Sequence, residues 1–107
     1  MKIAFPTAGD NLNSVIEGVF GRAKSFLIFD TETKEIKIID NTANLSAAHG
    51  VGIKSAETVS KAGIDVMVCM NCGPKAQDVL ESADVKIIVT DESTISKAIE
   101  KHNLNKV

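Results

Sequence analysis

The pattern of apolar and polar residues predicts five short β-strands in this chain. Apolar residues concentrate at 2–5, 26–29, 35–40, 66–69 and 85–89. The segments at 26–29 and 66–69 are apolar at consecutive positions, which is typical of strands that helices cover on both faces. The segment at 35–40 instead alternates charged and apolar residues up to Ile38, so we predict an edge strand with one face in solvent. Pro6 is expected to end the first strand.

Three helices are predicted between and after the later strands. The first runs from Gly50 to about residue 62, and Gly63 ends it in the left-handed conformation that glycine adopts readily. Pro74 begins the second, because its fixed φ suits the first helical position and its missing N–H would have no partner there. Thr90 or Asp91 caps the third. The resulting order, βββαβαβα, predicts a three-layer α/β fold with a five-stranded mixed sheet.

The predicted topology gathers the long connections at one edge of the sheet. We assume that the first three strands form a meander and that right-handed crossovers join the parallel strands. Residues 7–24, 41–49, 69–73 and 90–91 then all follow the carboxyl ends of the parallel strands. Because open α/β sheets bind ligands at that edge, we expect the functional site there.

Composition narrows the class of protein. The 107 residues are expected to form one domain, residues 1–107, with a formal net charge of −2 and neither Tyr nor Trp. The absence of a basic run disfavours nucleic-acid binding, and no apolar run approaches the ~20 residues of a membrane span. We therefore expect a soluble cytoplasmic protein with no membrane or nucleic-acid partner.

The two cysteines are the strongest candidates for chemistry. Cys69 ends the strand predicted at 66–69, and Cys72 lies just before the helix that follows. Their spacing is poor for a structural disulfide but suits soft metal ions and iron–sulfur clusters, which thiolates bind well. Two thiolates supply half of a tetrahedral site. His49 is expected at the same edge and is the proposed third ligand, whereas His102 is expected at the opposite edge and is excluded.

This incomplete ligand set leaves more than one function open. An open coordination sphere suits a carrier that must release its metal, and a homodimer that shares a site can supply four ligands. Alternatively, the positive end of the following helix lowers the pKa of Cys72. The pair then acts as a thiol–disulfide redox protein with Cys69 as the resolving thiol. A protein-interaction scaffold without metal or redox chemistry is the third alternative.

Two further segments at the same edge are candidates for anion binding. Arg22 lies in the long loop at 7–24 and can hold an anionic cluster through charge-assisted hydrogen bonds. It can equally pair with Asp10 or Glu17 and thereby order the loop. The Gly-Val-Gly segment at 50–52 opens a helix and offers backbone N–H groups to an anion, but it lacks the spacing of a nucleotide-binding loop.

Four motifs make the chain similar to a known family. They are Ile3-Ala4-Phe5-Pro6, the segment at 19–28 with Phe20-Gly21-Arg22-Ala23, His49-Gly50-Val51-Gly52, and Cys72-Gly73-Pro74-Lys75-Ala76. This series resembles that of the dinitrogenase iron-molybdenum cofactor biosynthesis family over essentially the whole chain.

The resemblance implies a ribonuclease H-like α/β fold and a role without catalysis. That role is the binding or carriage of a metal or of an iron–sulfur or iron–molybdenum cluster precursor, and its partners are the proteins that donate and accept the cluster. We expect Cys69, Cys72 and His49 as metal ligands, with Arg22 and Gly73 supporting the bound cofactor.

Overall fold

A computed structural model of the chain describes residues 1–104. Lys106, expected near the favourable C-terminal end of the last helix, lies outside the described residues. Within them the chain forms five strands: β1 Lys2–Thr7, β2 Ser25–Asp30, β3 Ile36–Asp40, β4 Val66–Cys69 and β5 Lys86–Val89. The four α-helices are α1 Thr42–Leu45, α2 Val51–Ser60, α3 Pro74–Ser82 and α4 Ile95–Lys101, and a 3-10 turn covers Phe20–Arg22. None of these helices is long and apolar enough to cross a membrane.

The five strands form one mixed sheet in the order β3-β2-β1-β4-β5. β2 runs antiparallel to both β1 and β3, whereas β1, β4 and β5 run parallel to one another. The meander and the parallel crossovers expected from the sequence are therefore confirmed. β3 lies at one edge of the sheet, as predicted. Ile36 and Ile38 are each 40% exposed, so the face that the alternation predicted to be buried is itself partly in solvent.

Helices cover both faces of the sheet and divide the core into two clusters. On one face, α2 and α3 bring Val59 and Leu80 into the cluster that contains Met67. On the other face, α4 brings Ile95 into the cluster that contains Val68. Successive side chains of β4 face opposite layers because a strand has a two-residue repeat. The predicted three-layer α/β fold class is confirmed.

Pro6 does not end β1, contrary to the prediction. It is buried and pairs with Phe26 of β2. Its carbonyl accepts a hydrogen bond from the Glu17 amide at 2.7 Å, away from β2, and β1 pairs with β4 only at Ile3 and Ala4. A strand residue directs its N–H and C=O to the same side. The missing N–H of Pro6 therefore faces no strand, and the proline costs the sheet no hydrogen bond.

The cap of α4 is Thr94 rather than Thr90 or Asp91, so that prediction is wrong. The Thr94 hydroxyl accepts a backbone N–H from the first turn of the helix at 3.4 Å. Between β5 and α4 the chain crosses to the first long loop, where the Ile16 amide donates to the Ser93 carbonyl at 2.9 Å. This tertiary contact involves Ser93, which the sequence pattern assigned to the first turn of the helix, so the helix begins later than predicted.

A buried asparagine fixes the connection between β3 and α2. The side-chain amide of Asn41 donates to the Ala23 carbonyl at 2.9 Å and to Ser55 Oγ at 3.0 Å. Its carbonyl oxygen accepts a hydrogen bond from Asn44 Nδ2 at 2.7 Å. Asn44 belongs to α1, a short helix that the sequence pattern did not predict. The network therefore ties the first long loop, α1 and α2 together at the carboxyl edge.

We expect Asn41→Ala to lower the free energy of unfolding by about 2–3 kcal/mol, because it leaves buried partners without hydrogen bonds. Denaturant unfolding followed by circular dichroism measures the change. Asn13 is exposed, and its side chain makes no hydrogen bond within residues 1–104, so Asn13→Ala is the control, with an expected change below about 0.5 kcal/mol. Equal stability of the two variants would contradict the role assigned to Asn41.

Candidate functional site

A cavity of about 630 Å³ opens at the carboxyl edge of the sheet. Residues 19–22, 50–53 and 73–76 enclose it, together with Asn71. These segments contain the 3-10 turn and the first turns of α2 and α3. The cavity lies at the edge where the topology predicted a ligand site, and three of the four sequence motifs meet in it. We call it the motif cavity.

The 3-10 turn is anchored to the sheet and packed against α2. The ring centroid of Phe20 is 5.3 Å from that of Phe26, and the Phe20 N–H donates to the Asn71 carbonyl at 3.1 Å. A Cβ at Gly21 would lie 3.0 Å from Gly52 Cα and 3.2 Å from Gly52 N. Because only glycine allows two backbones to approach so closely, Gly21 sets the width of the motif cavity.

Two helix N-termini face the motif cavity. Gly50 precedes α2 in the left-handed conformation with φ of 71°, and Gly73 precedes α3 in an extended conformation. Within residues 1–104 no side chain caps either helix, and neither first turn contains an acidic residue. A Cβ at Gly73 would meet nothing within 4 Å, so this glycine leaves the helix end uncapped rather than relieving a clash. The free N–H groups of both helices give the cavity a positive potential.

Two cations add to this potential. Arg22 and Lys75 both line the motif cavity, and no carboxylate among the described residues lines it. Among residues 1–104, Arg22 forms no ion pair, so it pairs with neither Asp10 nor Glu17. The structure therefore does not support the alternative in which Arg22 orders the loop through an ion pair.

The two cysteines lie outside the motif cavity and contact each other. Cys69 ends β4, as predicted, and is fully buried among apolar side chains. Cys72 is half-buried and lines a separate groove of about 420 Å³ between α3 and β5, which Glu81, Lys86 and Val89 also line. The Cys72 side chain packs against the apolar cluster that contains Cys69, and each thiol affects the pKa of the other. The pair therefore faces the core and this groove rather than the motif cavity.

Burial determines the acidity of both thiols. It raises the pKa of Cys69 to about 12, and the neighbouring Cys72 adds to the increase. Burial also raises the pKa of Cys72, although the interaction with the Cys69 thiol opposes this effect. The expectation of a lowered pKa at Cys72 is wrong, because burial disfavours the thiolate and raises the pKa instead.

We expect slow alkylation of Cys72 near neutral pH. Only the thiolate reacts, and each unit by which the pKa exceeds the pH lowers the thiolate fraction about tenfold. The rate with iodoacetamide should therefore rise with pH and stay below that of a cysteine in an unfolded peptide, whose pKa is about 8.5. Mass spectrometry of the Cys69→Ala variant measures Cys72 alone. A rate at neutral pH above that of the peptide would contradict the raised pKa.

The structure does not bring His49 together with the cysteines. His49 is exposed in the loop before Gly50. In the part of the chain that the structure describes, no group of three or more His, Cys, Asp or Glu side chains is arranged to hold a metal ion. The donor set at Cys69 and Cys72 consists of two thiols, half of what a closed tetrahedral site needs.

His102 does not lie at the opposite edge of the sheet, and that prediction is wrong. Its Nε2 is 3.0 Å from Thr90 Oγ1, and Thr90 directly follows β5 at the carboxyl edge. The reason is that α4 begins beside the first long loop, where the Ile95 amide donates to the Ser14 carbonyl at 3.1 Å. From there it returns towards β5 and ends beside Thr90. His102 therefore lies on the face of the sheet that α4 covers. Cys69 packs in the core on the opposite face, which α2 and α3 cover.

Sequence reasoning missed Lys75 and Asn71 as residues of the site. Lys75 lies in the first turn of α3, where a positive charge opposes the helix dipole. A lysine at that position, two residues after a glycine that has no side chain to cap the helix, is the signal that could have identified it. Asn71 contributes its backbone carbonyl, a role that side-chain chemistry does not reveal.

The fold and the cavity define a small three-layer α/β domain with a cationic cavity at its carboxyl edge. Among solved structures, the apo form of the orange protein from Desulfovibrio gigas has 31% sequence identity and a TM-score of 0.90, with 99% of this chain and 89% of that chain covered. A NifB-like protein from Thermotoga has 30% identity and a TM-score of 0.81, with 98% of this chain and 89% of that chain covered.

The sequence comparisons lead to one family. An uncharacterized protein of Methanocaldococcus jannaschii is 34% identical over 103 residues, which cover 94% of this chain and 83% of the relative. The family model described as dinitrogenase iron-molybdenum cofactor matches residues 1–104. The chain belongs to this family, and the resemblance inferred from the four motifs is confirmed.

Proposed function

We propose that this chain binds and carries an anionic metallocluster, or a precursor of one, in the motif cavity. The observation that carries the proposal is the convergence of two uncapped helix N-termini with Arg22 and Lys75 on one cavity. Membership of the iron-molybdenum cofactor family supports a cargo built from iron, molybdenum and sulfide. The role is not catalytic in this proposal, because the cavity supplies the charge and shape that binding and release require.

The charge of the motif cavity suits a compact polyanion. Each helix N-terminus contributes roughly half a positive charge, so with Arg22 and Lys75 the cavity presents about three positive charges. Its wall also includes apolar side chains at Val19, Val51 and Ile53. Sulfide ligands are soft and weakly hydrated, so they tolerate an apolar wall better than phosphate oxygens, which lose hydrogen bonds there. The lining therefore favours a sulfide-rich cluster over a phosphate ester.

The size and openness of the motif cavity suit a cargo that is exchanged. Its volume of about 630 Å³ lies within the roughly 300–1,000 Å³ of sites for small ligands. Val19 at its rim is 50% exposed, which keeps the cargo within reach of the proteins that donate and accept it. We place this exchange in the cytoplasm, where the cysteines stay reduced, with the chain as a monomer or a homodimer.

Direct ligation by Cys69, Cys72 and His49 is the alternative mode of binding. It requires Cys69 to leave the core and Cys72 to turn out of its groove, and His49 must join them from an exposed loop. The geometry favours the helix ends and the two cations instead. Gly73 then contributes by leaving the N-terminus of α3 uncapped.

Anaerobic titration with tetrathiomolybdate, a dianion of molybdenum and sulfide, tests the proposal. We expect saturable binding to the wild-type protein with a dissociation constant in the micromolar range, about −8 kcal/mol, and a change in the visible absorbance of the anion. Inorganic phosphate at the same concentration should not displace it. Absence of binding refutes the proposal, and displacement by phosphate refutes the preference for a sulfide-rich cargo.

Cysteine variants separate the two modes of binding. If the helix ends and cations hold the anion, Cys69→Ala and Cys72→Ser should bind it within about threefold of the wild-type affinity. If thiolates are ligands, both variants should lose binding. They should also lose the charge-transfer absorbance that the wild-type protein develops with iron and sulfide under anaerobic conditions.

A further inference from the structure

The turn between β4 and α3 connects the thiol pair to the motif cavity. Cys69 is the last residue of β4, and Cys72 is followed by Gly73, which precedes α3. Asn71 and Gly73, on either side of Cys72, both line the motif cavity. The Asn71 carbonyl also accepts the hydrogen bond from Phe20 that holds the 3-10 turn, at 3.1 Å. A movement of Cys72 is therefore transmitted to the wall of the cavity.

The two cysteines differ in their freedom to move. Cys69 is fully buried and pairs with Val89 of β5, and its carbonyl accepts the Thr90 N–H at 2.9 Å. Cys72 is half-buried and lies in a segment that is neither helix nor strand. Its side chain packs against the apolar cluster that contains Cys69. If the two sulfurs approach each other, Cys72 is therefore the residue that moves.

We propose that Cys69 and Cys72 form a reversible intrachain disulfide, and that its formation weakens anion binding in the motif cavity. The effect on binding rests on the proposed function, whereas disulfide formation does not. Neither a metal ligand nor a catalytic thiol is required of either cysteine. The pair is a redox-sensitive element that couples the turn at 69–73 to the cargo site.

The oxidant is a low-molecular-weight disulfide. The Cys72 thiol, the more exposed of the two, loses its proton and attacks one sulfur of that disulfide. This step forms a mixed disulfide and releases one small thiol, which takes up the proton. Cys69 then attacks the Cys72 sulfur in the same way and releases the second small thiol. Two protein thiols are oxidised to one S–S bond, and the small disulfide is reduced to two thiols.

The disulfide weakens anion binding because the cavity described above belongs to the dithiol form. An S–S bond of about 2.05 Å is much shorter than any non-bonded contact between two sulfurs. Since the sheet holds Cys69, the shortening pulls Cys72 inward and takes Asn71 and Gly73 with it. Movement of Asn71 displaces the carbonyl that accepts the hydrogen bond from Phe20, and movement of Gly73 displaces the N-terminus of α3. Hydrogen bonds to an anion are sensitive to such displacements because they weaken steeply with poor geometry.

Oxidised and reduced glutathione in defined ratios test the inference on the full chain. Mass spectrometry should show the loss of two hydrogens and no retained glutathione. The oxidised protein should bind tetrathiotungstate at least about fivefold more weakly than the reduced protein. Tetrathiotungstate is the probe because it reduces disulfides less readily than tetrathiomolybdate. In Cys72→Ser the affinity should not depend on the glutathione ratio, and Cys72→Ala serves as the control if Cys72→Ser does not fold.

An independent measurement separates failure of this inference from failure of the proposed function. Amide chemical shifts of Phe20 and Lys75 report on the cavity wall without any ligand, and both should change on oxidation in the wild type but not in Cys72→Ser. Persistence of two free thiols across the glutathione series overturns the inference, as does a disulfide that leaves these shifts and the affinity unchanged. If neither the oxidised nor the reduced protein binds the probe, the proposed function fails, and the inferred effect on binding fails with it. The amide chemical shifts of Phe20 and Lys75 still decide whether the disulfide moves the cavity wall.

Discussion

Replacing Arg22 and Lys75 together by glutamine is expected to lower the affinity of the motif cavity for tetrathiomolybdate by about 100-fold, because charge-assisted hydrogen bonds are the strongest that the cavity can make. Both cations line the cavity, and among the described residues no carboxylate does. Their removal leaves only the two helix N-termini to balance a dianion. Absorbance titration without oxygen measures the change. The wild-type affinity should also fall as salt is added, since exposed charges are screened.

The double variant Lys37→Gln, Lys97→Gln is the matched control because it changes the net charge by the same amount. Lys37 lies in β3 and Lys97 in α4, both are exposed, and neither lines the motif cavity. We expect its affinity to stay within about threefold of wild type, since distant surface charges are largely screened. Equal losses in the two double variants would show that the anion responds to net charge, and the assignment of the site would fail.

The second large effect is expected at Gly21. Gly21→Ala places a methyl group 3.0 Å from Gly52 Cα, and no side-chain rotation relieves a contact with backbone. The 3-10 turn and α2 must therefore separate, which should lower the free energy of unfolding by about 1–3 kcal/mol. Because the same movement displaces two walls of the motif cavity, we also expect the affinity for tetrathiomolybdate to fall at least about tenfold. Denaturant unfolding and anaerobic titration measure the two effects.

Gly18→Ala is the control for this substitution. Gly18 lies in the same long loop, and an added Cβ there would meet nothing within 4 Å. Its stability should stay within about 0.5 kcal/mol of wild type, and its affinity should not change. A Gly21→Ala protein with wild-type stability and affinity would show that the close approach of Gly21 and Gly52 does not shape the cavity.

The fold was predictable from signals that act over a few residues. The consecutive apolar residues that end at Cys69 form the buried strand β4, and Pro74 begins α3. Gly63 has the expected positive φ, 75°. In each case the local preference and the tertiary environment favour the same conformation, which is why the pattern sufficed. The end of β1 at Pro6 was mispredicted because non-local contacts decide whether the missing N–H of a proline costs the sheet a hydrogen bond. The start of α4 was mispredicted because contacts with the first long loop decide where the segment after β5 becomes helical.

The candidate site was predictable only in part. The topology indicated the carboxyl edge, and the motif around Arg22 and the glycine before α3 both line the cavity found there. The cysteines share that edge, yet Cys69 faces the core and Cys72 a different groove. The path of the backbone determines which residues lie at the carboxyl edge of the sheet. Which side chains converge depends on the side-chain directions that packing imposes, and sequence spacing does not contain that information.

By itself, the sequence determined the order of the strands and helices, the edge that carries the long loops and the family to which the chain belongs. Hydrophobic periodicity and turn residues are local properties that can be recognised within a few consecutive residues. Only the tertiary structure decided that Gly21 meets Gly52, that two helix N-termini share one cavity with Arg22 and Lys75, and that burial raises the pKa of both thiols. These features depend on residues far apart in the chain, because hydration and close contact are set by what packs around a group rather than by its neighbours in sequence.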